Sequence, residues 1–359
     1  MKIKSILVII QRSNGDVLLS GSLINQLFEN VKPISIDILV NSDTVSIAKS
    51  LMNVNKVITF SYAEKKQNRL AQEIAIFKKI FRKYDLCINL TSSDRGVIYS
   101  LLAGKMSISS VEENKFKSWW KVLFLNKSYH FEKNKHILLN NLKPLEILGI
   151  KANKILVPPA SDDVVLQVVK SRLKKLNITK FFIFHPSAQY EYKLYDEKLR
   201  KDLLYLLDNL NVPIIITGGY SDIDKKIQHN LPNLKNIHDF IGKTSIEEFI
   251  ALSFLSDAYI GMDTLNMHIA ASQNKRIFAI FGPTNQLMWS PWSNFLQESA
   301  SESKPIHNYA NITIFQADMP CVACGKKGCN NSFMSECLKN ISPETIFKEI
   351  KDWFYSNSL

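Results

Sequence analysis

Short apolar runs that alternate with helix-length segments constrain the fold of this chain more than any other feature of its sequence. Such runs, with little polar alternation, are typical of strands buried on both faces of a parallel sheet. Strands separated by helices imply βαβ units, so the sequence predicts an α/β fold with two doubly wound sheets. The predicted strands are Ile6–Ile10, Ser35–Val40, Val57–Phe60, Leu86–Leu90, Phe181–Phe184, Pro213–Thr217, Ala258–Gly261 and Ile277–Phe281.

The length of the chain indicates two domains, because 359 residues exceed what one hydrophobic core ordinarily supports. Pro158 and Pro159 favour extended backbone, and a charged stretch of helical character follows from Asp163 to Lys175. The predicted organisation is a first domain over 1–156, a linker over 157–178, a second domain over 179–342 and a terminal helix over 343–359.

Positive charge is confined to the first half of the chain. Residues 1–155 contain 24 Lys and Arg against 12 Asp and Glu, whereas residues 156–359 contain 21 of each. A one-sided positive field is typical of a protein with an anionic partner, such as nucleic acid, a phosphorylated substrate or an acidic membrane surface. A merely solubilising surface is the alternative. No recognised nucleic-acid-binding motif is present, so we expect no nucleic-acid partner.

The sequence gives no indication of export or membrane insertion. Gln11 and Arg12 interrupt the first apolar run, and no small-residue cleavage site follows. No apolar stretch approaches the roughly 18–20 residues that a membrane helix needs. We therefore expect the protein in the cytoplasm.

The loop after the first predicted strand holds Gly15 and Asp16 near a helix start. Gly15 allows the backbone to approach a ligand closely. A carboxylate at this position either caps the helix or acts as a general base that takes a proton from an incoming hydroxyl.

Two loops of the second half have the composition of a phosphate site. Ser187 and Lys193 follow one predicted strand, and a lysine there is suited to neutralise a diphosphate as a point charge, although surface lysines are commonly just solvated. The other loop combines a strand end, an acid and a hydroxyl at a helix start, where backbone N–H groups bind phosphate. An N-cap with a buried histidine is the structural alternative. The candidate residues of this second loop are Gly261, Met262, Asp263, Thr264 and His268.

Four of the five cysteines lie within a short segment near the end of the chain, the first two as Cys-x-x-Cys. In a reducing compartment, such spacing favours a structural zinc or iron site over disulfides, and four reduced thiols are the alternative. The candidate ligands are Cys321, Cys324, Cys329 and Cys337.

Several motifs in order along the chain resemble glycosyltransferase family 9, the lipopolysaccharide heptosyltransferases. The resemblance extends from about Ile6 to Ile350, and the cysteine-rich tail is similar to that of the heptosyltransferase III-like branch. Its most specific parts are Gly15–Leu19, His185–Ala188 with Lys193, Gly242–Ser245, Gly261–His268, Phe281–Thr284 and Trp289–Trp292.

This resemblance implies a GT-B architecture, in which two Rossmann-like domains face a cleft, the first binding the acceptor and the second the nucleotide-sugar donor. It implies an inverting transfer from ADP-heptose without a catalytic metal or other cofactor. Asp16 matches the family's base and Lys193 the residue that stabilises the departing diphosphate. Donor-binding positions are matched by Gly15, Ser187, Thr244, Gly261, Met262, Asp263, Thr264 and His268.

The resemblance also gives the basic first domain a role. The acceptor is expected to be an anionic glycolipid at the inner face of the cytoplasmic membrane, which makes the protein a peripheral membrane protein. Mixed Lys and Trp residues between Lys115 and Lys121 are typical of interfacial segments, although an exposed helix face is the alternative. The candidate acceptor-binding residues are Arg95, Lys115, Lys117 and Lys121.

One position departs from the family pattern. The family usually has Gly-Pro or Gly-Leu after Asp-Thr, whereas Leu265 and Asn266 stand here. A leucine in place of glycine beside the phosphates narrows the pocket or alters donor choice. The alternatives are a GT-B enzyme with another donor or a protein acceptor, a sugar-nucleotide epimerase, or a non-catalytic nucleotide-sugar-binding homologue.

Overall fold

The computed structural model describes residues 2–330 and 332–356, and the chain divides into two compact units between Ala160 and Ser161. The division falls inside the predicted linker. The helix predicted from Asp163 to Lys175 forms over those residues and belongs to the second unit. No helix among the described residues is both long and apolar enough to cross a membrane.

The first unit is a parallel sheet flanked by helices. Its strands are β1 (Ser5–Ile10), β2 (Ser35–Asn41), β3 (Lys56–Phe60), β4 (Tyr84–Asn89), β5 (Gly104–Val111) and β6 (Lys127–His130). Its helices are α1 (Asn14–Val31), α2 (Val45–Ser50), α3 (Tyr62–Ile80), α4 (Asp94–Ala103), α5 (Lys115–Phe124) and α6 (Ile137–Ile147). The strand order is β3-β2-β1-β4-β5-β6, with every neighbouring pair parallel.

The second unit repeats this architecture with one antiparallel edge strand. Its strands are β7 (Phe182–His185), β8 (Ile214–Gly218), β9 (Ile237–Ile241), β10 (Ala258–Met262), β11 (Arg276–Phe281), β12 (Ile306–Tyr309) and β13 (Ile312–Gln316). Its helices are α7 (Asp163–Lys175), α8 (Glu197–Asp208), α9 (Asp222–His229), α10 (Ile246–Leu255), α11 (Leu265–Ser272), α12 (Gln286–Trp289) and α13 (Pro343–Ser356). The order is β12-β13-β11-β10-β7-β8-β9, and only β12 is antiparallel to its neighbour.

The predicted α/β fold is confirmed, and all eight predicted strands form. Five further strands, β5, β6, β9, β12 and β13, were not predicted. In β5 the serines at 107, 109 and 110 break the apolar run, and in β9 His238 and Asp239 do the same. These interruptions are tolerated because the hydrogen bonds of a sheet do not depend on side-chain polarity.

The predicted terminal helix forms as α13, and Ile346 and Ile350 are buried in the hydrophobic core of the second unit. It therefore belongs to that unit's core. Residues 357–359 of the predicted segment lie outside the described residues.

Each sheet reverses its strand order once, and polar loops meet at both reversals. In the first sheet the reversal lies between β1 and β4, where the Gln11 N–H donates to Thr91 Oγ1 at 3.0 Å. In the second it lies between β7 and β10, which end at His185 and Met262. Ligands of open parallel sheets bind at such switch points, beyond the carboxyl ends of the strands.

A buried carboxylate, Asp224, fixes the loops that follow β7 and β8. It accepts hydrogen bonds from Ser187 Oγ at 2.5 Å and from the Gly219 N–H at 2.9 Å. The Ser221 N–H at 2.9 Å and Ser221 Oγ at 2.5 Å complete the set. Burial raises the pKa of Asp224, but these four bonds outweigh that effect and hold the pKa below its usual value.

We expect Asp224→Asn to destabilise the second unit by roughly 2–4 kcal/mol, because the amide cannot accept all four charge-assisted hydrogen bonds. The ionised Asp224 stabilises the fold above its unfolded-state pKa of 3.8, and this contribution is lost as the pH falls further. Urea denaturation at pH 7 and at pH 3 measures both effects. The matched control is Asp222→Asn on the same helix, whose carboxylate is 99% exposed. Equal midpoints for the two variants at pH 7 would contradict this account.

Candidate functional site

Asp16 is a buried carboxylate at the carboxyl edge of the first sheet. It is the third residue of α1, and Ser13 is the N-cap. Ser13 Oγ donates to Asp16 Oδ2 at 2.6 Å, and Arg12 Nη1 lies 3.8 Å from Oδ1. The capping alternative is thus partly realised, because the carboxylate also accepts the Ser13 backbone N–H. Gly15 lies half-buried beside it in the first turn.

Burial raises the pKa of Asp16 above its usual value, although Arg12 and Ser13 oppose the rise. Desolvation disfavours the charged carboxylate, and the neighbouring guanidinium compensates only in part. A carboxylate with a raised pKa is more basic than an exposed one. This environment suits a group that accepts a proton.

Arg95 lies at the same edge of the first sheet. Its Nε donates to Gln11 Oε1 at 3.3 Å and its Nη2 to Tyr62 Oη at 3.0 Å. The guanidinium carbon is 3.6 Å from the centre of the Phe60 ring, a close cation–π contact. These contacts hold Arg95 beside the residues that follow β1 and β3, and its side chain stays half-buried.

The three predicted acceptor lysines of α5 differ in their surroundings. Lys115 and Lys117 are exposed in the first turn. Lys121 is fully buried, and its Nζ contacts Ser92 O at 2.6 Å, Glu112 Oε2 at 2.7 Å and Asp94 Oδ1 at 2.8 Å. All three ammonium hydrogens are taken up, so the prediction that Lys121 binds an acceptor is corrected: this lysine holds the helix against its own unit.

Lys193, Asp263 and His268 come together at the switch point of the second sheet. Lys193 Nζ lies 2.8 Å from Asp263 Oδ2. Burial lowers the pKa of Lys193, but the charge and hydrogen bond of Asp263 outweigh it and raise the pKa above its usual value. Lys193 therefore remains an ammonium ion in a half-buried position, as a residue that meets negative charge requires.

Two buried histidines, His185 and His268, lie at the same switch point. Burial lowers the pKa of His268 to about 4, and burial likewise lowers that of His185 to about 4. Nδ1 of His185 lies 2.9 Å from Thr217 Oγ1. Nδ1 of His268 is buried and has no hydrogen-bond partner within the described part of the chain. The ring of His268 is therefore a neutral imidazole enclosed in the second unit.

Helix α11 begins at the same switch point. Thr264 is its N-cap in extended backbone, and its hydroxyl makes no capping bond, which leaves the first-turn N–H groups without that partner. Asn266 Nδ2 lies 3.1 Å from both ring nitrogens of His185. The residue that departs from the family pattern is therefore in contact with a histidine at the end of β7.

Gly261 and Met262 are parts of the sheet. A Cβ at Gly261 would lie 2.5 Å from the His185 carbonyl oxygen, so glycine is required for the close packing of β10 against β7. Met262 is 1% exposed, and its side chain lies in the core of the second unit. The prediction that these two residues bind a donor is corrected for the Met262 side chain, which the core occupies.

Two other predicted donor residues lie in the loops that follow β7 and β9. The Ser187 hydroxyl is bound to Asp224, so it orders the loop after β7. Thr244 is half-buried and directly precedes Ser245, the N-cap of α10. Thr244 thus follows β9, two strands from the Lys193–Asp263 pair.

The cysteine-rich segment contains free thiols only. Cys337 is buried, Cys329 half-buried, and Cys321 and Cys324 are exposed. Across residues 2–330 and 332–356, no group of three or more His, Cys, Asp or Glu side chains is arranged to hold a metal ion. Burial, and then the charges of Cys329, Cys324 and Cys321, raise the pKa of the Cys337 thiol, so the four cysteine side chains lie near one another, and the zinc or iron site stays a prediction.

Four residues at this site were not among the predicted site residues. Asp224 carries a recognisable signal, since Ser221-x-x-Asp224 is a variant of the capping box, which forms in the structure. His185 stands at a predicted strand end, and only the fold places it beside Asn266. The stacked rings of Tyr190 and Tyr192, 5.4 Å apart, precede Lys193 and have no distinctive sequence pattern.

Comparison with known protein families identifies the family of this chain. The model of glycosyltransferase family 9 (heptosyltransferase) matches residues 74–317, more than half of the sequence. The chain belongs to glycosyltransferase family 9. A curated family relative, lipopolysaccharide heptosyltransferase 3 of Escherichia coli, is 24% identical over 299 residues, which cover 79% of this chain and 85% of the relative.

Solved structures of the family have the same fold. A glycosyl transferase family 9 protein from Veillonella parvula superposes with a TM-score of 0.74 at 16% identity, covering 97% of each chain. E. coli heptosyltransferase WaaC, solved with ADP and with ADP-2-deoxy-2-fluoro heptose, has a TM-score of 0.71 at 15% identity and covers 97% of this chain and 99% of its own. The predicted GT-B class, with two Rossmann-like domains, is confirmed.

We expect the rings of His185 and His268 to stay neutral between pH 5 and pH 8, because burial lowers both pKa values to about 4. Imidazole 15N chemical shifts measure this directly, with a free imidazole standard for comparison. In the unfolded chain these groups titrate near pH 6.5, so the free energy of unfolding should decline as the pH falls from 6.5 towards 4. His268→Gln should reduce that decline. A titration of either ring near pH 6.5 in the folded protein would contradict the assignment.

Proposed function

We propose that this family 9 chain is an inverting glycosyltransferase that moves heptose from ADP-heptose to a lipopolysaccharide-core or related phosphorylated acceptor. The observation that carries the proposal is the buried Asp16, a carboxylate of raised pKa at the switch point of the first sheet. The relatives support the donor class: one is named a lipopolysaccharide heptosyltransferase, and WaaC was solved with an ADP-heptose analogue.

In the proposed step, an acceptor hydroxyl attacks the anomeric carbon of the donor from the face opposite to the diphosphate. The new bond joins the acceptor oxygen to the anomeric carbon, and the bond from that carbon to the diphosphate oxygen breaks. ADP leaves with the bonding electron pair, and Asp16 takes the hydroxyl proton. A single displacement of this kind inverts the anomeric configuration.

Lys193 is proposed to stabilise the charge that develops on the departing diphosphate. Asp263 holds the ammonium in place at 2.8 Å, and the first-turn N–H groups of α11 add positive potential at the same switch point. His268, whose ring interacts electrostatically with Asp263 and Lys193, is proposed as a further donor-binding residue. Because these groups supply the positive charge, the proposed reaction requires no metal or other cofactor.

The acceptor is proposed to bind the first unit, where the basic excess of the chain lies. Arg95 is held at the carboxyl edge of the first sheet, and Lys115 and Lys117 are exposed in the first turn of α5. Phosphates and acidic sugars of an inner-core glycolipid match this charge. The proposed location is the cytoplasmic face of the inner membrane, where such precursors are found.

A second candidate is the same reaction with a nucleotide-sugar donor other than ADP-heptose. Leu265 and Asn266 stand in the first turn of α11, where the family usually has Gly-Pro or Gly-Leu, and the Asn266 amide contacts His185. The Leu265 side chain stands where the family has a glycine beside the phosphates, and a narrower pocket there favours a different donor.

We expect Asp16→Asn to lower kcat by a factor of about 10²–10⁴, because the amide cannot accept the proton. The Kd for ADP should not change, since ADP is proposed to bind the second unit. In the unmodified enzyme, the acid limb of the kcat profile should lie above the usual aspartate value of 3.8, as burial raises the pKa of Asp16. Steady-state kinetics against pH and ADP titration by calorimetry measure these quantities.

The matched control is Asp43→Asn, which removes an exposed carboxylate from the same unit. A folded Asp16→Asn variant with full transfer activity would show the base assignment to be wrong. Loss of ADP binding in that variant would instead indicate a disturbed fold, which the unfolding midpoint detects.

A further inference from the structure

Three neighbouring helices of the first unit form one layer against the sheet. Helix α4 contacts both α3 and α5. The connections from β3 to β4, β4 to β5 and β5 to β6 run across the sheet in one direction, so right-handed crossovers place all three helices on the same side. The outer surface of this layer is therefore one continuous face of the molecule.

Helix α5 turns an apolar stripe away from its own unit. Phe116 is 92% exposed, Trp119 64% and Leu123 68%, and their spacing of three and four residues puts them on one side of the helix. The opposite side anchors the helix through the buried Lys121 and through Trp120, which packs against a small core cluster of α4 and β5. The helix is thus anchored to its own unit on one side, while the stripe on its other side is exposed.

Helix α3 presents a second stripe of the same kind. Leu70 is 76% exposed, Ile74 53% and Phe77 38%, again at spacings of four and three residues. Ile76 and Ile80 on the opposite side are buried in the core of the first unit. Between the two stripes, Ile98 of α4 is also exposed. We call the surface formed by Leu70, Ile74, Phe77, Phe116, Trp119 and Leu123 the α3–α5 face.

Basic side chains accompany the apolar residues on these helices. Exposed lysines occur at 66, 78 and 79 on α3 and at 115 and 117 on α5. Of the acidic residues of α3, Glu73 is bonded to the Tyr99 hydroxyl and Glu64 stands in the first turn. Asp94 of α4 and Glu112, which precedes α5, are paired with Lys121, and Glu113 is exposed. The balance on the face is positive, as it is in the whole first unit.

We propose that the α3–α5 face docks on an anionic lipid surface, with Phe116, Trp119 and Leu123 inserted among the acyl chains and the lysines at the headgroups. Apolar residues that protrude beside lysines are what interfacial helices combine. A second copy of the chain is the weaker occupant, because a symmetric contact would bring the lysines of both copies together. The inference rests on the proposed membrane location and adds the face that makes the contact. Its test uses no donor or acceptor sugar, so its failure is distinguishable from failure of the transfer reaction.

The test is co-sedimentation of the full chain with vesicles of phosphatidylglycerol and phosphatidylethanolamine, compared with vesicles of phosphatidylcholine alone. We expect binding to the anionic vesicles at least about tenfold tighter than to the zwitterionic ones. Phe116→Ser with Trp119→Ser should weaken binding to anionic vesicles by about tenfold or more, and Leu70→Ser with Ile74→Ser should weaken it independently. Lys115→Gln with Lys117→Gln should lower both the affinity and its salt dependence.

The matched control is Val164→Ser with Val168→Ser on α7, which removes exposed apolar residues from the second unit and should leave vesicle binding unchanged. All variants alter exposed side chains, and their unfolding midpoints verify the fold. Equal binding by the face variants and the wild type, or no binding to either vesicle, would overturn the proposal. A concentration-dependent dimer in light scattering that the face variants abolish would do the same and would make a second copy the occupant.

Discussion

Burial of parallel strands on both faces is the constraint on which the whole molecule depends. The two central strands are buried along almost their whole length: Ile6–Ile10 of β1 are at most 1% exposed, and Ala258, Tyr259 and Ile260 of β10 are fully buried. Polar groups are therefore displaced to the loops at the strand ends, and the reversal of strand order in each sheet separates two of those loops. Asp16 and Lys193 occupy these two places, one in each unit. The candidate site residues therefore lie in loops at the strand ends and not within the sheets.

The same burial sets the charge state of each site group, and it acts in opposite directions on acids and bases. It raises the pKa of Asp16 and lowers that of His185 and His268 to about 4, so a carboxylate becomes more basic while two imidazoles stay neutral. Lys193 would lose its proton more readily by burial alone, but Asp263 reverses this effect. The positive charge of Lys193 is thus kept because the buried carboxylate of Asp263 compensates the cost of burial.

The sequence predicted the strands and the loops that carry the site, because both depend on local patterns. The sequence could not predict which polar side chains would make structural contacts within the protein and so be unavailable to a ligand. Lys121 has the sequence context of a surface lysine, yet it is buried and paired with three acceptors. Ser187 has the sequence context of a ligand-binding residue, yet its hydroxyl is bonded to Asp224. Contacts of this kind join residues far apart in the chain, such as Asn266 and His185, and only the tertiary structure creates them. The sequence indicated only the part of the α3–α5 face that the Lys and Trp residues of α5 form. The part on α3 could not be predicted, because it depends on the helices sharing one layer.

The central claim is that this chain transfers a sugar from an ADP-linked donor. The most direct measurement is nucleotide release by the purified chain with a panel of ADP- and UDP-sugars, with and without a heptose-deficient core acceptor. The account predicts ADP release from ADP-heptose only when the acceptor is present, with the product carrying inverted anomeric configuration. Nucleotide release from a different nucleotide-sugar, with no release from any ADP-sugar, would contradict it.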